Sequence, residues 1–210
     1  MVRINKDLRN YIETEIFPEY EKNDEGHRRS HIEYVIRRSI KFAEQFEDIN
    51  LDMIYVVAAY HDIAHHINKD AHEALSAEIF YKDEKMQEFF NEEERRIVKE
   101  AIEDHRASLE GEPRSDYGKI VSSADRTTNL DTTIRRAHSY ILKHFPDSTL
   151  EEMIDDAYEH VRKKYGKGGY AKSYVVDNEL DDFRAEVDSI VANKGKFRKK
   201  YMEVNNLQEF

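Results

Sequence analysis

Apolar residues recur every three or four positions along most of the chain, which is the spacing of one face of an α-helix. In residues 28–47 these positions include Ile32, Val35, Ile36 and Phe42. No stretch alternates apolar and polar residues over more than four positions, as a half-buried strand would. The pattern therefore predicts an all-α fold. The predicted helices cover residues 4–17, 28–47, 52–65, 71–82, 92–107, 116–129, 131–145, 148–165 and 178–203.

Several residues at the ends of these segments are typical of helix boundaries. Pro18 and Pro146 follow two of the predicted helices, and proline closes a helix because it cannot donate a backbone hydrogen bond. Asp70 and Asp131 precede two others, where a carboxylate can accept hydrogen bonds from the free N–H groups of the first turn. We therefore expect helix ends at these four residues.

The composition favours a soluble helical protein. Of 210 residues, 39% are hydrophobic and only 7 are Gly and 3 Pro, so the chain can bury a sizeable core and has few helix breakers. The formal net charge of −11 argues against a long nucleic acid as a partner. The longest apolar run, residues 54–60, is too short to cross a membrane, and the N-terminus lacks a signal sequence. We expect a cytoplasmic protein that does not act at a membrane.

Candidate metal ligands interrupt the apolar faces of separate helices. They are His31, the adjacent pair His61 and Asp62, and Asp125. One such residue by itself is more often a hydrogen-bonded core residue than a ligand, but four in this arrangement favour a metal site. The chain has no cysteine, which excludes thiolate ligands. Two imidazoles and two carboxylates suit a divalent ion such as Mn, Fe, Co, Ni or Zn, with Mg as a further candidate.

The order His31, His61-Asp62, Asp125 resembles the HD-domain superfamily of metal-dependent phosphohydrolases. The pair lies in the context Ala-Ala-Tyr-His-Asp-Ile-Ala, and the similar region covers about residues 25–130. The resemblance implies an HD-type helical bundle in which residues 1–210 form a single domain. Its metal-binding core would be about 25–130, and about 131–210 would be a helical extension.

The resemblance also implies a place for a second metal ion. Relatives that hold two ions have further histidines between the His-Asp pair and the last Asp, and His72 and His105 occupy those places here. His105 lies on an apolar face, whereas His72 lies in a polar first turn and could simply be exposed. One ion and two ions both remain open at this point.

The candidate catalytic residues are Asp62, His65 and Arg126. Asp62 would bind the metal and orient a metal-bound water that attacks phosphorus. One turn after His61, His65 could donate a proton to a leaving group or contact phosphate, and a solvated helix end is its alternative role. Arg126 follows the last ligand directly and is expected to assist the phosphate.

The resemblance implies hydrolysis of a phosphate ester or phosphoanhydride in a small, nucleotide-like metabolite. The alternatives are a non-catalytic sensor that binds metal or nucleotide, and a purely structural helical protein. Guanosine tetraphosphate hydrolases of the superfamily have a Glu-Asp pair shortly after the His-Asp pair. Here Ala64, His65 and His66 occupy those places, which counts against that activity. The chain is most similar to the small stand-alone members, with a homodimer as a candidate assembly.

Residues 165–174 form the one glycine-rich segment and include Lys167, Lys172 and three tyrosines. Glycine hinges beside cations and aromatic rings suit a mobile lid over a phosphorylated ligand. The alternative is a plain connector to the last helix, with its tyrosines packed on the core.

Overall fold

The computed structural model describes residues 4–208, in which the regular elements are all helices and no strand is present. This confirms the predicted all-α fold. The α-helices are α1 (Lys6–Tyr11), α2 (Arg29–Ala43), α3 (Leu51–Tyr60), α4 (His72–Lys82), α5 (Glu92–Glu103), α6 (Asp116–Ala124), α7 (Leu130–His144), α8 (Leu150–Tyr165), α9 (Asn178–Val191) and α10 (Lys194–Val204). Within this described part, no helix has the length and apolar character needed to cross a bilayer.

Three of the expected helix ends were wrong. Pro18 does not close the first helix, because the chain continues as a π-helix, Ile12–Ile16, and a 3₁₀-helix, Phe17–Lys22. Pro18 lies in the first turn of that 3₁₀-helix, where a missing N–H breaks no internal hydrogen bond. The N-cap residue of α4 is Ala71 and that of α7 is Asn129, so neither Asp70 nor Asp131 caps its helix.

The chain forms two compact units, residues up to Asp125 with Ser173–Val176, and Arg126–Lys172 with Asp177 onward. In the first unit α3 is the central element, since every residue from Met53 to Tyr60 is buried. It packs against α2, α5 and α6. A helix that is apolar on all sides is stable only inside such a bundle, and this burial fixes the position of the chain that follows it. The prediction that residues 1–210 form a single domain is not tested by this division.

The second unit contains α7 to α10. Helix α7 packs against α8 and α10, and α8 packs against α9. The single helix predicted over 178–203 was wrong, because the chain breaks between α9 and α10. The side chain of Asn193 accepts a hydrogen bond from the N–H of Lys196 at 3.1 Å and so begins a new helix.

The glycine-rich segment begins at the end of α8, and its residues up to Lys172 belong to the second unit. Its backbone turns at Gly168, where φ is +75°, a conformation that favours glycine. Tyr165 is buried and packs edge-on against Phe183, whereas Tyr170 is exposed. The lid role of this segment stays a prediction.

Candidate metal centre

The end of α3 places the His-Asp pair inside the first unit. His61 is the C-cap of α3, and the chain then leaves the helix through a series of turns, including a bond from the N–H of His65 to the carbonyl of Asp62 at 3.0 Å. Because α3 is buried on all sides, the side chains of His61, Asp62 and His65 are buried as well. The apolar run before the pair is therefore the local cause of its position.

Four other segments of the same unit bring further ligand-type side chains to this point. His31 lies in the first turn of α2, and His72 is the first residue of α4. His105 follows α5 by two residues and Asp125 is the C-cap of α6. His72 and His105 are both buried, so the exposed alternative for His72 was wrong.

Three of the histidines are held in the same way. Each has its Nδ1 atom within hydrogen-bond distance of the carbonyl three residues before it. The pairs are His61 with Ala58 at 2.7 Å, His72 with Lys69 at 2.8 Å and His105 with Ile102 at 2.7 Å. A carbonyl can only accept, so Nδ1 is the protonated nitrogen, and in the neutral ring Nε2 then carries the in-plane lone pair. This is the tautomer that binds a metal through Nε2.

The first group of ligand atoms surrounds Oδ2 of Asp62. Nε2 of His61 lies 3.4 Å from this oxygen and Nε2 of His31 lies 3.6 Å from it. The two imidazole Nε2 atoms are 3.4 Å apart, and Oδ1 of Asp125 is 3.1 Å from Nε2 of His31. The four residues predicted as metal ligands are thus brought together by the fold.

The second group surrounds the other oxygen of the same carboxylate. Oδ1 of Asp62 lies 3.1 Å from Nε2 of His72 and 3.4 Å from Nε2 of His105. These two nitrogens are 3.1 Å apart. Asp62 therefore lies between two sets of imidazoles, with one oxygen directed to each.

The residues present fit a bound cation. Oδ1 of Asp62 is buried and makes no hydrogen bond of normal geometry with any described residue, although the two Nε2 atoms are near it. An isolated buried carboxylate oxygen is unfavourable, and two imidazole lone pairs 3.1 Å apart repel each other. Bonds of about 2.1 Å around a tetrahedral ion place ligand atoms roughly 3.4 Å apart, close to the observed spacings. The ligand atoms of His31, His61 and Asp62 lie within 4.8 Å of one another, as do those of Asp62, His72 and His105, so each set could hold a metal ion.

The aspartates keep their charge in this environment. Burial would raise the pKa of Asp62, but the surrounding imidazoles, His61 first, hold it well below the usual range. Burial would likewise raise the pKa of Asp125, whereas its hydrogen bond to His31 lowers it. Burial would lower the pKa of His31, but the carboxylates of Asp125 and Asp62 outweigh burial and raise this pKa to about 9. The cluster therefore presents negative oxygens that favour a cation.

The structure places the other two predicted catalytic residues as follows. The ring of His65 is buried and stacks on His27, with centroids 3.8 Å apart and planes 20° apart. Burial, with the neighbouring His27, lowers the pKa of His65 to about 4. Arg126 is buried and its Nε donates to the carbonyl of Lys172 at 3.2 Å. Their roles toward a substrate stay predictions.

Sequence reasoning missed two residues that support the centre. The hydroxyl of Tyr20 donates to the carbonyl of Ala59 at 2.8 Å and accepts from the N–H of Asp62 at 3.3 Å. The buried side chain of Asn23 donates to the carbonyl of Asp62 at 3.0 Å and accepts from the N–H of His66 at 2.9 Å. Both lie in a segment without helical periodicity, so no pattern in the sequence pointed to them.

A comparison with protein families assigns part of the chain to a family. The family model for the HD domain matches residues 28–130, and this part of the chain belongs to the HD-domain superfamily, which confirms the resemblance seen in the sequence. Among solved structures, a predicted HD superfamily hydrolase from an uncultured Thermotogales bacterium is similar. It has 25% sequence identity, a TM-score of 0.48 and coverage of 74% of this chain and 86% of its own. None of the curated proteins matches the chain.

Proposed function

We propose that this protein is a metal-dependent phosphohydrolase that acts on a small nucleotide-like phosphate ester or phosphoanhydride. The observation that carries the proposal is the carboxylate of Asp62, whose two oxygens each face a separate set of imidazole nitrogens. Membership of the HD-domain superfamily supports a metal-dependent hydrolase. The substrate class is our own inference.

Two ions would be held by residues of the first unit. One site would consist of His31, His61, Asp62 and Asp125, and the other would consist of Asp62, His72 and His105. Bound there, a divalent ion supplies Lewis acidity toward water and toward a phosphoryl oxygen. A donor set of imidazole and carboxylate favours Mn, Fe, Co, Ni or Zn over an ion that prefers oxygen ligands alone.

The chain's own groups would position the reactants. Asp62 shares its carboxylate between both sites and would fix their separation. His65 is close enough to the second group, with its ring centroid 5.2 Å from that of His72, to offer an N–H to a phosphate oxygen. Arg126, next in sequence after Asp125, would add a cation for the same phosphate.

The small size of the substrate is supported by charge. A protein of net charge −11 repels a long polyanion, whereas a short phosphorylated molecule interacts mainly with the local field of bound cations. The expectation that this molecule is a nucleotide rests on the resemblance of the sequence to the small stand-alone members of the superfamily.

The test is a panel of nucleoside mono-, di- and triphosphates, cyclic dinucleotides and generic phosphodiesters, each assayed with Mn, Co, Ni and Mg. At least one substrate should turn over, and activity should be lost in His61→Ala. The matched control is His144→Ala, which removes an exposed histidine of the second unit. No turnover with any substrate, or equal turnover in His61→Ala purified in the same way, would contradict the proposal. Tight nucleotide binding without turnover would support the sensor alternative.

A further inference from the structure

A further group of ligand-type side chains lies in the first unit and shares no residue with the two groups of metal ligands described above, although it includes His65. Asp24, His27 and His65 bring one carboxylate and two imidazoles together, with ligand atoms within 4.8 Å of one another. Oδ1 of Asp24 is 2.7 Å from Nδ1 of His27, and Oδ2 is 3.9 Å from Nδ1 of His65. The carboxylate therefore spans the edges of two stacked rings.

The position of this group is fixed by the backbone. The amide of the buried Asn23 donates to the carbonyl of His27 at 3.1 Å and to that of Asp62 at 3.0 Å. It thereby fastens the loop that carries Asp24 and His27 to the turn that carries His65. A preorganised donor set binds an ion with less loss of conformational freedom than side chains on a free loop.

Access to solvent differs along the group. His65 is buried, His27 is partly buried, and the side chain of Asp24 is 50% exposed. An ion at this point could enter from solvent and keep water molecules in its open coordination positions. Sites with three protein ligands and an open position are a common arrangement for such ions.

We propose that Asp24, His27 and His65 form an additional site for a divalent transition ion such as Zn or Co. The carboxylate disfavours an anion at the same place, so a cation is the better occupant. Ligand atoms around such an ion lie roughly 3.4 Å apart. The observed 2.7 and 3.9 Å lie on either side of that spacing. Because the two rings are stacked with 20° between their planes, one ring must turn before both Nδ1 lone pairs can point at the same ion.

The experiment counts ions bound to the metal-free full chain. Native mass spectrometry and calorimetry with Zn or Co should detect an equivalent that depends on Asp24. Asp24→Asn is a conservative change, because its Oδ1 can still accept the hydrogen bond that Asp24 takes from the N–H of Gly26 at 3.0 Å. We expect Asp24→Asn and His27→Ala each to lose this equivalent or to weaken it at least about tenfold. The control is Asp147→Asn, an exposed aspartate of the second unit.

The outcomes separate this inference from the proposed function. If the wild type, Asp24→Asn and His27→Ala bind the same number of ions with the same affinities, the additional site does not exist. If an Asp24-dependent ion binds while His61→Ala changes nothing, the inference holds and the proposed metal centre fails. Circular dichroism of each variant checks that a lost equivalent is not due to loss of the fold.

Discussion

Oδ1 of Asp62 lies 3.1 Å from Nε2 of His72, whereas Oδ2 of the same carboxylate lies 3.4 Å from Nε2 of His61. One side chain at the end of a buried helix thus connects two sets of ligands from different helices. A carboxylate that uses both oxygens in this way can bridge two ions. The two sets should then be separable by mutation.

Replacing His105 by Ala should remove one metal equivalent and leave the ion of the first group in place. His105 lies near Oδ1 of Asp62 but belongs only to the second group, so the ligands of the first group remain. Elemental analysis of the purified variant is the measurement, with wild type prepared in parallel. Unchanged metal content in His105→Ala would show that the second group holds no ion.

Metal removal should destabilise the wild type more than the Asp62→Ala variant. Ions at about a hundred times their dissociation constant stabilise a native protein by about 2.7 kcal/mol. For a chain of this size that corresponds to a fall of about 5–10 °C in melting temperature when a chelator is added. Asp62→Ala lacks the shared ligand, so its melting temperature should already be low and should fall less when chelator is added. A chelator response of equal size in both proteins would exclude Asp62 as a ligand.

The sequence predicted the parts of the centre that depend on helical periodicity. His31 and His61 interrupt apolar faces, and such an interruption is visible without the fold. Asn23 and Asp24 could not be recognised as parts of the site, because Asp62 and His65 lie about forty residues away in sequence and meet them only through tertiary packing. The break at Asn193 was missed for a different reason. The hydrophobic spacing continues across it, and the new helix begins because the Asn193 side chain caps its first turn.

Asn23→Ala should destabilise the protein and weaken metal binding together. The variant leaves the buried carbonyl of Asp62 and the N–H of His66 without their partner. An unsatisfied buried group costs roughly 1–3 kcal/mol, so we expect a loss of that size in the free energy of unfolding. Denaturant unfolding measures it, with the exposed Asn10→Ala as control. Equal stabilities in the two variants would mean that Asn23 does not fasten this loop.

Two buried tyrosines of the first unit give a matched comparison of hydroxyl groups. The hydroxyl of Tyr20 bonds to the carbonyl of Ala59 and the N–H of Asp62, whereas that of Tyr55 is buried and has no hydrogen-bond partner among the described residues. Each Tyr→Phe change removes one oxygen from a packed interior and leaves the ring in place.

The two variants should therefore change the free energy of unfolding by different amounts or in opposite directions. Tyr20→Phe leaves two buried backbone groups unpaired and should lower the free energy of unfolding by about 1–3 kcal/mol. Tyr55→Phe removes a polar atom that gains nothing from burial, so its stability should stay the same or rise. Because Tyr20 also fixes the N–H of Asp62, its variant should bind metal more weakly, and Tyr55→Phe should not. Urea unfolding and metal titration of both proteins measure these effects, and a larger destabilisation by Tyr55→Phe would contradict the hydrogen-bond assignment.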